Sequence, residues 1–189
     1  MTEPLFKLGR GPIGEDEQEF AHGDVFLRES IGGRERVVLG AARGHVDLLL
    51  DLARGVEGPY WVLFVLVLSR QGSAEIGRYQ SERMVGYEEL EGFLDRFRDF
   101  LERDGRHHLW VATDGGAQQF IYDHHQRIYA YGAVDLAESV ARARGMTPGE
   151  ADLCVPHSHH YHASFDEDEA ALLAYWPWRR TPLQPGDDD

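Results

Sequence analysis

Residues 107–132 read HHLWVATDGGAQQFIYDHHQRIYAYG, and this stretch decides the fold. Apolar runs at Leu109–Ala112, Phe120–Tyr122 and Ile128–Tyr131 are separated by Asp114-Gly115-Gly116 and by Asp123-His124-His125-Gln126. Short aromatic and β-branched runs bounded by turn formers are strand signals. The spacing predicts a three-stranded antiparallel meander.

Just upstream, Tyr87–Arg103 predicts a helix. Leu90, Phe93, Leu94, Phe97, Phe100 and Leu101 recur at helical spacing, charged residues line the other side, and Gly105 is placed to stop it. Further back, Tyr60–Leu68 runs without a polar break. Such a run predicts a strand covered on both faces in the middle of the sheet. Ala74–Gln80 alternates as the next strand. His45–Arg54 predicts a short helix ended by Gly55, and Asp24–Ile31 with Arg36–Ala42 flank Gly32-Gly33-Arg34-Glu35 as a hairpin would.

Downstream of the meander, Val134–Arg144 predicts a third helix with Gly145 as its stop. Asp166–Tyr175 predicts a fourth, with Asp166 as cap and Glu169 three residues on. Residues 1–24 combine glycines, Pro12 and the acidic run Glu15–Glu19, which predicts an irregular N-terminal segment with a short edge strand at Pro4–Leu8. The stretch 181–189 holds two prolines and three final aspartates and should fray. Together these elements predict one α+β domain over 1–189. Its mainly antiparallel sheet should have about five to seven strands, with three or four helices largely on one face.

Charge narrows the partners. The chain has 33 Asp and Glu against 19 Lys and Arg, a net charge of −14. That field repels nucleic-acid phosphates and anionic membranes, and favours a basic partner or simply solubility. No run approaches the ~20 apolar residues of a membrane helix. The start, Met-Thr-Glu-Pro, has no signal-peptide character, so the expected location is the cytoplasm. The single cysteine, Cys154, excludes an internal disulfide and any multi-cysteine metal site. Its neighbours Leu153 and Val155 suggest burial rather than a reactive thiol.

Histidines supply the one concentrated chemical feature. His157, His159, His160 and His162 fall within six residues. On an extended chain, His157 and His159 would share one face, and His160 and His162 the other. Zinc wants three or four converging ligands, which Cys154, Asp166 or the His124-His125 pair could complete. The spacing matches no His-Glu-x-x-His or Cys-x-x-Cys pattern, and histidine tracts also bind metal adventitiously. The expectation is therefore no cofactor, with zinc as the alternative. Asp123-His124-His125 resembles the Asp-His-His signature of a phosphoesterase family. The further aspartates on parallel strands that such enzymes bring are missing, and a hairpin turn accounts for the three residues.

Two readings of function follow. The first is a non-catalytic cytoplasmic binding protein. Small acidic α+β proteins of bacteria that neutralise a basic toxin, as immunity proteins do, share this general character. Its docking residues would be Asp166, Glu167, Asp168 and Glu169, with Trp176 and Trp178 as aromatic anchors or as a lid on the core. The second is a metal-dependent hydrolase using the His157–His162 cluster. Oligomeric state is not encoded in any feature of the chain.

Overall fold

Gly32 and Gly33 take left-handed φ values of 57° and 80°, as a two-residue hairpin turn of the primed kind requires. They join β3 (Val25–Ile31) to β4 (Arg34–Gly40) in the expected hairpin. The computed structural model describes residues 5–11, 17–72, 74–153 and 156–187. The other strands are β1 (Leu8–Arg10), β2 (Gln18–Glu19), β5 (Tyr60–Leu66), β6 (Gly77–Ser81), β7 (His107–Thr113), β8 (Gln119–Tyr122), β9 (Ile128–Tyr131), β10 (Thr147–Pro148), β11 (His157–His159) and β12 (Trp178–Thr181). The helices are α1 (His45–Arg54), α2 (Tyr87–Arg96), α3 (Arg98–Arg103), α4 (Val134–Ala143) and α5 (Asp166–Leu173).

The meander forms as predicted: β7, β8 and β9 are consecutive antiparallel neighbours. They lie in the middle of a nine-stranded sheet of order β10-β3-β4-β9-β8-β7-β5-β6-β12. Only β10, beside β3, runs parallel to its neighbour. A second sheet has three strands, β11-β1-β2.

The architecture is mixed α+β with a mainly antiparallel sheet, and the strand count exceeds the five to seven expected. The short edge strand expected at Pro4–Leu8 is found instead as β1 at Leu8–Arg10, in the middle of the small sheet; the additions β2, β10, β11 and β12 have two to four residues each, too few to carry a periodic signal. Among the described residues the α-helices number five, because the Tyr87–Arg103 stretch breaks at Phe97, whose φ of −104° and ψ of 14° leave the helical region. Phe97 stays buried at the break, so the apolar stripe continues across it.

One core lies between the large sheet and the helices. Tyr60, Val62, Phe64 and Leu66 of β5 join Leu109, Val111, Phe120, Tyr122, Ile128 and Ala130 against Leu49, Leu90, Phe93, Leu94 and Ala137. The expectation that β5 is covered on both faces is corrected. It is an interior strand between β7 and β6, but Trp61 and Leu63 on its other face are half-buried, and only Val65 there is fully covered. That face carries an apolar ladder in which Leu27, Val38, Tyr129, Ile121, Trp110 and Leu63 are successive cross-strand neighbours. Such rungs shield one another without a covering layer. An unbroken apolar run therefore reflects a half-shielded second face here.

The N-terminal segment is more ordered than expected, because β1 and β2 belong to the small sheet. That sheet sits against the end of the meander at which β8 turns into β9. The buried Lys7 amine lies 4.0 Å from the centre of the Tyr122 ring and donates to Leu101 O at 3.0 Å. Among the described residues, no helix is long and apolar enough to cross a membrane.

Candidate metal centre

The turn after Tyr122 is held by Asp123. Its backbone N–H donates to Arg127 O at 2.9 Å, and its Oδ1 accepts the Arg127 N–H at 2.8 Å. Gln126 takes a left-handed φ of 64° to close the turn. His124 and His125 thereby face the small sheet. On that sheet the pairing of Leu8 with His159 fixes the height of β11, and strand alternation puts His157 and His159 on the side towards the turn.

His124, His125 and His159 converge: one ligand atom from each lies within 4.8 Å of the other two. Ring centres are 4.2 Å apart for His124 and His125, 4.4 Å for His124 and His159, and 4.9 Å for His125 and His159. His108 of β7 stands 4.4 Å from His124, and His157 stands 5.5 Å from His125. The ring nitrogens His124 Nε2, His159 Nδ1 and His108 Nε2 are buried without a hydrogen-bond partner. Each such atom costs roughly 1–3 kcal/mol when nothing satisfies it.

Burial favours the neutral form of His124, His159 and His108. Burial, followed by neighbouring imidazoles, lowers His124 to about 2 and His159 to about 4. Burial lowers His108 to about 4. Neutral imidazole is the form that ligates metal. Asp123 is the compensating anion. Burial pushes its carboxyl up, but His125 and Arg127 outweigh this and hold it at about 2. Its Oδ2 lies 3.7 Å from His125 Nδ1 and accepts the Tyr129 hydroxyl at 3.2 Å. A carboxylate behind one nitrogen of a histidine orients the other towards a metal. Beneath the cluster, burial lowers Lys7 to about 7, against the pull of Asp123. Neutral nitrogen donors with one nearby carboxylate suit a borderline divalent ion such as zinc.

The predicted histidine quartet divides as its alternation implied. His159 lies in the cluster and His157 at its rim. His160 and His162 point away: His160 Nε2 is 3.2 Å from Glu17 Oε1 and 3.3 Å from Ser158 Oγ, and His162 Nε2 bonds Phe6 O at 2.9 Å. Serine and carboxylate meet the same nitrogen of His160. A nucleophile relay needs them on opposite nitrogens, so this trio is not one. Cys154 falls outside the described residues. Asp166 joins a different network and does not approach the cluster.

That network is built on Arg106, which is fully buried. Its guanidinium pairs with Asp104 at 2.8 Å, Asp166 at 3.0 Å and Glu169 at 2.8 Å, and donates to His162 O at 2.9 Å. Two of the four acids expected on a docking surface are thus turned inward. Glu167 is exposed and Asp168 half-buried. Trp176 stacks on Phe93 with ring centres 4.5 Å apart, and Trp178 Nε1 donates to Leu172 O at 3.3 Å. Both tryptophans are half-buried against the core.

Sequence reasoning centred the cluster on 157–162 and treated His124 and His125 as supplements; the structure makes those two its middle. His108 was not singled out. Its signal was positional: His107 and His108 begin a strand, so one must leave the core face. His107 stacks on Phe64 and packs at a tilt against Phe100 in the core, and His108 projects to the other side.

Against protein-family models, curated proteins and solved structures, the chain has no match.

Proposed function

We propose that this protein binds a divalent transition metal of the zinc class through His124, His125 and His159. The observation that supports this reading is the convergence of three imidazoles from two segments remote in sequence, their ligand atoms within 4.8 Å of one another. The unpartnered nitrogens of His124 and His159 supply donors that nothing else among the described residues uses. Burying several imidazoles beside one another raises the free energy of the metal-free protein. An ion ligated by them offsets that cost.

The test is metal content of untagged protein, followed by zinc titration of the chelator-treated chain. One zinc per chain is expected. At a free concentration of 100 Kd the native state should gain about 2.7 kcal/mol, read as a rise in melting temperature. Replacing His124 and His159 together by Ala should remove both the stoichiometric metal and the stabilisation. Substoichiometric metal, with a melting temperature indifferent to chelator, would leave only an adventitious tract.

The docking of a basic partner is a separate proposal. Its support is the net charge of −14 and the exposed Glu167, since Asp166 and Glu169 are engaged by Arg106. Its signature would be an association rate that falls steeply with salt. The hydrolase version of the metal reading adds a further requirement: a ligand position left open to water.

A further inference from the structure

Three protein ligands leave a tetrahedral zinc one position short, and the group that fills it separates a closed centre from an open one. His108 stands beside that set, against His124. It is only 8% exposed, its ring centre lies 4.4 Å from that of His124, and its buried Nε2 has no partner. Strand register explains its position. His108 pairs with Val65 on β5 and leaves β7 on the face opposite His107, at the end of the meander where the His124–His125 turn sits. The nearby carboxylate is already used: Asp123 holds the Arg127 amide and the Tyr129 hydroxyl. His157 lies at the rim, its ring 5.5 Å from His125 and 5.6 Å from His159, and it is half-buried where His108 is buried.

We infer that His108 is the fourth ligand, so that the centre is a closed site of four imidazoles joining the large sheet to the small one. This rests on the metal reading above and deepens it. His108, His124 and His125 belong to β7 and the β8–β9 turn, whereas His159 belongs to β11. A bound ion therefore ties β11, and through it β1 and β2, to the meander. Four protein ligands leave no position for an attacking water, so the role of the ion is to hold structure together rather than to hydrolyse. Four neutral ligands also leave the ion's charge to be balanced from outside the coordination sphere, where Asp123 stands behind His125.

The experiment uses the full chain loaded with cobalt(II), whose visible absorption reports coordination number and exchangeable ligands. The wild type should show an intense tetrahedral spectrum that azide leaves unchanged. His108→Ala should bind zinc more weakly by more than about tenfold, a loss that even the outer partner of a ligand can bring. Its cobalt spectrum should shift with azide and return towards wild type with added imidazole, a rescue that a merely structural histidine would not give. His108→Gln, closer in shape, serves if the alanine variant does not fold. An azide-sensitive wild-type spectrum, or variants with unchanged spectrum and affinity, overturns the assignment of His108 while leaving metal binding in place. Failure of the wild type to take up one cobalt per chain overturns the metal reading itself.

Discussion

Arg106 ties Asp104, the His162 carbonyl and the acids of α5 together. Its guanidinium is fully buried, with Asp104 and Glu169 buried beside it and Asp166 at the edge. Removing one member of a buried ion network strands the others without compensation, at a cost of about 3–5 kcal/mol. Arg106→Met should therefore lower the unfolding free energy by that much, read from urea titration, and loosen α5, read as faster amide exchange over residues 166–173. A change within about 0.5 kcal/mol, the range of ordinary surface substitutions, would contradict this. The same network shows where the sequence stops being legible. Asp166 to Glu169 read as a solvated acidic face, because four acids at a helix start need no partner. Nothing local announces that an arginine some sixty residues upstream claims two of them. The histidines behave likewise. Alternation separated His157 and His159 from His160 and His162, because a period of two is local. The approach of His124, His125 and His108 is a tertiary fact that turn chemistry and strand pattern do not encode.

At the scale of elements, periodicity and turn residues were sufficient for the meander, the β3–β4 hairpin, α1 and α4. They were insufficient for β1, β2, β10 and β12, whose two to four residues are set by neighbours rather than by their own pattern. The break between α2 and α3 was also hidden, since the stripe Phe93, Phe97, Phe100 remains buried across it. The apolar run of β5 misled in a specific way: Trp61 and Leu63 look like core residues but lie on the half-shielded second face of the sheet. Two substitutions one residue apart separate the faces. Phe64 is fully buried beside Phe100, so Phe64→Asp should abolish soluble expression, because an unpaired charge would enter the core. Leu63→Asp should express and fold with a loss of about 1–2 kcal/mol, the share of a half-buried leucine. Equal loss of folded protein in the two variants would mean that the second face is covered after all.

For the whole molecule, the buried histidines couple folding to pH. Burial leads in lowering His108 and His159 to about 4, His45 to about 3 and His124 to about 2, against 6.5 for the free side chain. Above 6.5 these rings are neutral in both states and titration adds no pH dependence. Below it the unfolded chain takes up protons that the native chain refuses, so stability falls as pH falls. The loss should be steepest between pH 6.5 and about 4, contributing up to about 1.4 kcal/mol per pH unit for each such histidine. Asp123, held at about 2, extends the decline below its usual 3.8. Melting curves of chelator-treated protein across pH 4–8 check this; a flat profile would mean that the imidazoles are not buried as described. The small sheet has a consequence of another kind. Leu8 pairs with His159, and His162 bonds Phe6 from 156 positions away. Closing a loop of that length costs entropy that no local contact repays until nearly everything between has condensed. The meander, built from neighbours, can assemble early, while β1 and β11 can meet only on a surface already made. The histidine cluster should therefore form after the meander, and a nascent chain that has not yet reached His159 has no such site.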